Sequence, residues 1–319
     1  MTDRLSRLAR SWDEAAEGYE QYFVPRFAPW VQTAVDALHT IPFGMVLVPC
    51  CGTFPELELL APRFPDRRIV GVDLSAEMVR LATRRAADLG AADLRAAGLG
   101  GADLGAADLR AGDPGAAGLG AADLRAGDPG AADLRAADLG AGGRPLVEVV
   151  QGDAATLDPG WSAAAVVSVF GLQQLPDPAD AIRSWYDALV PGGRLCVVYW
   201  PEFAEETGPF ALLDEVMNGR RDRSWEDALI PALDSAVIER DELVSFQMVH
   251  PSAAAYFDAA NHAGPLRATA LARGDDYIAE LRARYLAAAP AGEWRHEPWA
   301  RLICATKPLS RGEVAPPTS

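Results

Sequence analysis

The sequence predicts an α/β fold, a mostly parallel sheet covered by helices on both faces. Three observations carry that expectation. An apolar run, Met45 to Pro49, leads straight into a small-residue turn, Cys50-Cys51-Gly52-Thr53, and then into helix-forming sequence. A second apolar run, Ile69 to Val72, closes on Asp73. The alternation of apolar runs with amphipathic segments resumes at Leu146, after a tract of short repeats. Apolar runs without polar alternation suit strands that are buried on both sides, as parallel strands are.

Taken in order, residues 5–22 predict a helix with Trp12, Ala15, Tyr19 and Tyr22 on one side. A second helix is expected from Ala28 to Leu38. The first strand covers 45–49 and its helix about 55–62, with Thr53 as N-cap, Pro55 in the first turn and Glu56 where the helix dipole favours an acid. The second strand covers 68–73. Ser75 caps the helix after it, whose buried side carries Met78, Val79, Leu81 and Ala82. Beyond the repeats, strand 146–150 leads to Gly152-Asp153-Ala154, and a strand from Ala165 to Phe170 leads to Gly171. A helix over about Ala179–Leu189 and the turn Pro191-Gly192-Gly193 precede a strand from Arg194 to Trp200. Residues 201–242 read as mostly helical and polar. A strand from Leu243 to Val249, helices over Ala253–Ala260 and Asp275–Ala289, and a last strand from Ala300 to Thr306 follow. The Pro-rich sequence after Lys307 is expected to be disordered.

From Ala86 to Gly140 the chain repeats with a period of five, in units such as AADLG, AADLR and AGDPG. This self-similarity resembles the pentapeptide-repeat family, which implies a square β-helix. Pro114 and Pro129 stand where the inward leucine belongs, and the tract is too short for three full coils. A short β-helix and a flexible or partly ordered insertion both stay open. The tract links a helix to the strand after it, so it hangs at the amino edge of the sheet, opposite the edge where such folds bind ligands.

Composition sets limits. The net charge of −16 over 319 residues opposes binding to nucleic acid or to an anionic membrane. The four cysteines, Cys50, Cys51, Cys196 and Cys304, make no metal-binding spacing and read as reduced core thiols. The charged N-terminus does not read as a signal peptide, and no apolar run approaches the roughly 20 residues of a membrane helix. A cytoplasmic protein is expected.

Strand, small-residue turn, helix and then a strand ending on Asp73 form a geometry for gripping an adenosine. The turn backbone approaches the ligand, the helix N-terminus faces it, and the acid takes the ribose hydroxyls. Four motifs carry a wider likeness: VLVPCCGTFPEL (46–57), IVGVDLSAEMVRLA (69–82), VVQGDAATLD (149–158), and VVSVFGLQQLPDPADAIRSW with LVPGGRLCVVYW (166–185 and 189–200). In this order they resemble the class I S-adenosylmethionine-dependent methyltransferases, in particular the small-molecule branch akin to ubiquinone and menaquinone methyltransferases. The resemblance covers residues 10–200 apart from the insert, and 300–307.

That resemblance implies a Rossmann-like, mostly parallel seven-stranded sheet with a C-terminal helical substrate cap and a low-complexity repeat insertion. The core would comprise 1–85 and 144–200, the insertion 86–143, the cap and last strands 201–307, and the tail 308–319. It implies S-adenosylmethionine as cofactor and a small-molecule methyl acceptor as partner. Residue by residue, Cys50, Cys51, Gly52 and Thr53 would form the turn beside the methionine and ribose parts. Asp73 would hold the ribose hydroxyls, with Leu74 and Met78 flanking the adenine. Asp153 would accept from the adenine amino group with Ala154 beside it. Phe170 and Gly171 would lie beneath the cofactor, and Tyr22 would lid the pocket. The sequence departs from the family in two places. The usual acid at the end of the first strand is replaced within Val48-Pro49, and Cys50 and Phe54 stand at two of the turn's usual glycine positions.

Methyl transfer from a sulfonium needs chiefly alignment and exclusion of water, with a base where the acceptor is a hydroxyl or acidic carbon. Among the histidines, His262 lies in the expected cap and is the candidate base. Trp200, Phe203, Phe210, Tyr256, Phe257 and Trp294 are candidates to line an apolar acceptor pocket, and Gln173 and Gln174 to meet substrate. The leading expectation is a methyltransferase acting on a small apolar or aromatic metabolite. A non-catalytic scaffold that binds a partner through the repeats is the alternative. A nicotinamide oxidoreductase is disfavoured, because no GxGxxG follows the first strand.

Overall fold

The computed structural model describes residues 3–96, 146–158, 160–217, 224–264 and 266–309. In chain order it runs α1 (Asp3–Tyr22), α2 (Val24–Asp36), β1 (Met45–Pro49), α3 (Leu57–Arg63), β2 (Arg68–Asp73) and α4 (Ala76–Ala96). After the repeats come β3 (Leu146–Gln151), β4 (Ala163–Val169), α5 (Pro178–Asp187) and β5 (Leu189–Tyr199). The C-terminal part holds α6 (Pro209–Val216), α7 (Leu229–Ala232), β6 (Val237–Ser245), β7 (Met248–His250), α8 (Ala253–Ala263), α9 (Arg267–Arg273), α10 (Asp275–Ala288), β8 (Trp294–His296) and β9 (Trp299–Thr306).

Seven strands form one sheet in the order β3-β2-β1-β4-β5-β9-β6, with β9 antiparallel to both of its neighbours and the other pairings parallel. The chain therefore leaves β1 toward β2 and β3, then returns to β4 on the other side of β1. The carboxyl ends of β1 and β4 flank this reversal, the place where open α/β sheets bind ligands. Every residue of β1 and of β4 is buried, which explains their unbroken apolar sequences. Side chains alternate between two cores. Val46 and Val48 face a core with Trp30, Leu57 and Tyr256, while Met45 and Leu47 face one with Trp185 and Leu229.

Local rules set several of the helix starts. Asp177 caps α5 by accepting from the Asp180 N–H at 3.0 Å, with Pro178 in its first turn. Ser252 caps α8 through the Ala255 N–H at 3.1 Å. Trp185 of α5 is fully buried and donates its Nε1–H to the Ala154 carbonyl at 2.7 Å, which fixes the loop after β3. Cys196 and Cys304 oppose each other on β5 and β9 as buried free thiols.

Some boundaries differ from the sequence expectation. Helix α3 begins at Leu57, and Thr53 does not cap it: Glu56 is its N-cap residue and makes no side-chain cap bond. The strand Val237–Ser245 begins six residues before the expected one, taking in residues 237–242 where helix was expected, because an exposed edge strand carries charges on its open face. The strand expected at 243–249 breaks, and Met248–His250 pairs instead with Trp294–His296 in a separate two-stranded ribbon. Helix α4 runs on through the first two repeat units, in keeping with their Ala and Leu content, so these units are not a β-coil. The remaining repeats and the tail from Ser310 lie outside the described residues. No helix among the described residues is long and apolar enough to cross a membrane.

The chain leaves α4 and returns at Leu146, which pairs with Arg68 at the amino edge of the sheet. Replacing residues 97–145 by a short Gly/Ser link should leave one cooperative urea transition within about 2 kcal/mol of the full chain, since each halving of a connection's length changes closure by only about 0.6 kcal/mol. Loss of the cooperative transition would count against a peripheral insertion.

Candidate active site

The turn after β1 is left-handed at alternate residues, with φ of 54° at Cys50, 53° at Gly52 and 65° at Phe54. Glycine adopts such angles freely, whereas a side chain there costs about 1–2 kcal/mol. Phe54 is fully buried and turns under the sheet. A Cβ at Gly71 would come within 2.7 Å of its Cε1 and 2.9 Å of Cys51 Sγ. Phe54 thus occupies the space that Gly71 leaves, away from the ligand edge. Cys50 packs equally closely on Gly171, where an added Cβ would stand 2.3 Å from Cys50 Cβ. Burial and the Asp73 charge push both turn thiols well above the ordinary cysteine range, so neither is a ready nucleophile.

Asp73 ends β2 with its carboxylate bonded to two main-chain donors, the Gly52 N–H on one oxygen and the Ser75 N–H on the other, both at 2.9 Å. Burial raises its pKa, and those N–H groups act against the rise by favouring the charged form. Helix α4 is capped by other residues. Ser75 Oγ accepts from the Met78 N–H at 3.1 Å and donates to Asp13 of α1 at 2.6 Å, and Asp13 also accepts from the Glu77 N–H. Helix α1 is thereby tied across the N-terminus of α4.

A cleft of about 90 Å³ runs along this edge. Cys50, Cys51 and Gly52 line it from the turn, Asp73, Leu74 and Met78 from the end of β2 and the start of α4, Asp153 and Ala154 from the loop after β3, and Phe170 and Gly171 from the end of β4. Asp153 is exposed, and its Oδ1 accepts from the Ala155 N–H at 2.9 Å. Phe170, itself at φ 58°, stacks on Trp200 with centroids 4.1 Å apart. Two expected residues are not in the wall. Thr53 is buried with its hydroxyl unpartnered outside the cleft. Tyr22 instead bonds His250 Nδ1 at 2.8 Å, and Tyr19, about one turn earlier on α1, takes the position over the cleft.

A larger chamber of about 520 Å³ adjoins the cleft, and Trp12, Tyr19, Phe27, Phe170 and Gln174 line both. Trp200, Phe203, Phe210, Tyr256 and Gln173 belong to its wall. Phe257 is fully buried against Tyr285, and Trp294 lines a separate open groove. His262, the expected base, is exposed on α8 and outside the chamber wall, with Asn261 at 3.4 Å as its polar neighbour.

Residues 111–197 match the family described as methyltransferase domain, a span that begins within the repeats and takes in β3, β4, α5 and the body of β5. That match covers the middle of the chain, and solved structures show the same fold around it. The crystal structure of YcgJ from Bacillus subtilis superposes with a TM-score of 0.50 at 14% identity, over 89% of this chain and 100% of that one. Geranyl diphosphate C-methyltransferase from Streptomyces coelicolor A3(2) gives 0.47 at 14% identity, over 96% and 98%. No curated protein matches the sequence.

Two buried carboxylates stand at these cavities that sequence reasoning did not single out as site residues. Glu205 lines the chamber at 6% exposure. One of its oxygens accepts from the Phe210 and Ala211 N–H groups at 2.6 and 3.2 Å, and the other meets His296 Nδ1 at 2.6 Å. An ionised carboxylate only accepts, so His296 carries its proton on Nδ1 and receives one from His250 Nε2 at 3.0 Å, while His250 Nδ1 receives from Tyr22. Burial first, then the neighbouring His296 and Arg26, lower the His250 pKa to about 3, which keeps that ring neutral in the chain. Nothing local marks Glu205 in the sequence, because its partner His296 is 91 residues away.

Glu56, read from the sequence only as a dipole acid, is 3% exposed in the cleft wall. Burial pushes its pKa from 4.5 up to about 7, against the lowering by its own N–H and by Arg85. The unfolded carboxyl releases its proton near 4.5 and the folded one near 7, so its contribution to stability is complete below pH 4.5 and is lost as pH rises through 7. The loss should be on the order of 3 kcal/mol. Urea unfolding at pH 5 and pH 8 should show this difference in the wild type and a flatter one in Glu56→Gln; identical pH dependences would place Glu56 outside the linkage.

Proposed function

We propose that this protein transfers the methyl group of S-adenosylmethionine to a small, apolar or aromatic acceptor bound in the chamber. The observation that carries the reading is the shared wall: a cleft suited to a nucleoside opens beside an aromatic chamber, with Phe170 and Tyr19 bordering both. The residues present fit the cofactor. Asp73 has one N–H on each oxygen and keeps lone pairs for two ribose hydroxyls, and Gly171 clears the floor. Leu74 and Met78 offer apolar surface for the adenine, and Asp153 an acceptor for its amino group.

When bound, the cofactor supplies an already activated methyl group. The protein's part is to align the acceptor and keep water out, and the stacked Phe170 and Trp200 with Phe27 supply a rigid apolar wall for this. Glu205 replaces His262 as the candidate base. A hydroxyl or acidic-carbon acceptor that took the methyl group would have to lose its proton, and the Glu205 carboxylate, fixed by three donors in the chamber wall, would be placed to receive it. The scaffold alternative has less support, because Phe54 stays out of the cleft.

Calorimetric titration tests the reading directly. S-adenosylhomocysteine should bind the full chain, and Asp73→Ala should weaken it by about 1–3 kcal/mol through the lost ribose hydrogen bonds; unchanged affinity removes Asp73 from the site. On an acceptor that turns over, Glu205→Gln should lower the methylation rate by about 100-fold with S-adenosylhomocysteine affinity intact. A rate equal to wild type dismisses it as the base.

A further inference from the structure

We propose that Glu56 is the carboxylate that holds the α-ammonium of the cofactor's amino-acid end, taking over from the acid that the first strand lacks. The inference rests on the cofactor reading above and extends it to a residue outside the turn and Asp73.

Three independent observations converge on this residue. The first is a deficit: β1 ends on Val48-Pro49, and both residues are apolar and buried, so no acid projects from its carboxyl end. The second is a carboxylate that only packing delivers. Glu56 precedes α3, is nine-tenths buried and lines the same cleft as Cys51, Gly52 and Asp73. The third is an unmet need, for its Oε2 is buried with no hydrogen-bond partner. A buried acceptor without a donor costs about 1–3 kcal/mol, so such an atom in a cavity wall marks where a ligand donor belongs.

The surroundings do not neutralise it. Tyr19 faces it from α1 and Cys51 from the turn, neither of them a cation. The nearby cation is Arg85 of α4, and its guanidinium is engaged elsewhere, with Nε on the Thr53 carbonyl at 3.0 Å and its terminal nitrogens on Glu58 and Glu20. Glu56 therefore keeps its proton up to about pH 7 when nothing cationic is beside it.

The cofactor carries two cationic centres, and hydrogen bonding selects between them. A sulfonium has no N–H or O–H to give, so it leaves Oε2 unsatisfied. An ammonium has three donors and satisfies Oε2 while pairing with the charge. Its arrival favours the ionised carboxylate, so binding near neutral pH expels the Glu56 proton to solvent.

The test compares S-adenosylhomocysteine, which has the ammonium, with 5′-methylthioadenosine, which lacks the amino-acid end. Both are titrated calorimetrically into the full chain, in two buffers of different ionisation heat, between pH 5.5 and 8. S-adenosylhomocysteine should release protons near pH 7 and weaken by up to about tenfold per pH unit below it. Methylthioadenosine should do neither. Glu56→Gln should lose about tenfold in S-adenosylhomocysteine affinity and all proton release, while methylthioadenosine binds as before. Absence of proton release from the wild type, or equal weakening of both ligands in Glu56→Gln, overturns the assignment with cofactor binding still standing. If the wild type binds neither compound, the cofactor reading falls and this inference with it. The wild-type proton measurement decides even if the variant does not fold.

Discussion

The hydrogen bond from the Gly52 N–H to the Asp73 carboxylate is the contact on which the site depends. It joins the turn after β1 to the end of β2, two parallel neighbours in register from Val46↔Ile69 to Pro49↔Val72. Burial raises the pKa of this carboxyl, and the main-chain N–H donors act against that rise. The result is a fixed acceptor edge at the point where strand order reverses. Ser168 of β4 secures the other flank by donating from Oγ to the Pro49 carbonyl at 2.9 Å, so the ends of three strands are tied together there.

The turn shows how a glycine-dependent shape is held with glycine at one of its three left-handed positions. Left-handed backbone at Cys50 and Phe54 costs about 1–2 kcal/mol at each. Full burial of the Phe54 ring returns about 1.5–3 kcal/mol. The remaining requirement is room, and that is met across the interface: Gly171 receives Cys50, and Gly71 receives Phe54 and Cys51. Small residues that the turn lacks are found in what the turn packs against. The substitutions therefore change the underside of the sheet more than the ligand-facing edge.

Parts of this were legible in the sequence because their causes are local. β1 and β4 are buried on both sides and write themselves as apolar runs, and Asp73 follows its strand directly. What stayed hidden depends on distant contacts. Tyr19 and Tyr22 lie on the same expected helix face, and only the position of His250 sends one to the chamber and the other away from it. His262 has the chemistry of a base but falls on the exposed side of α8, a rotation that periodicity in an alanine-rich helix does not fix. Thr53 looked like a cap until the left-handed Phe54 delayed the helix to Leu57. Glu56 and Glu205 are ordinary surface residue types whose burial comes from elements far along the chain.

Helix α1 joins these features. Trp12 and Tyr19 lie over both cavities, Asp13 caps α4 beside Asp73, and Tyr22 ends the chain of rings that leads to Glu205. Its ties to α4 are polar: the Arg80–Glu17 pair is largely exposed and screened by water, the Asp13 cap is worth about 1 kcal/mol, and the partly buried Arg85–Glu20 pair adds to them. The sheet beneath it, by contrast, is held by continuous ladders and two packed cores. Helix α1 forms the roof of the cleft. The same helix bounds the chamber and, through Tyr22, touches the ring chain that ends on Glu205, so the two cavities share one wall element.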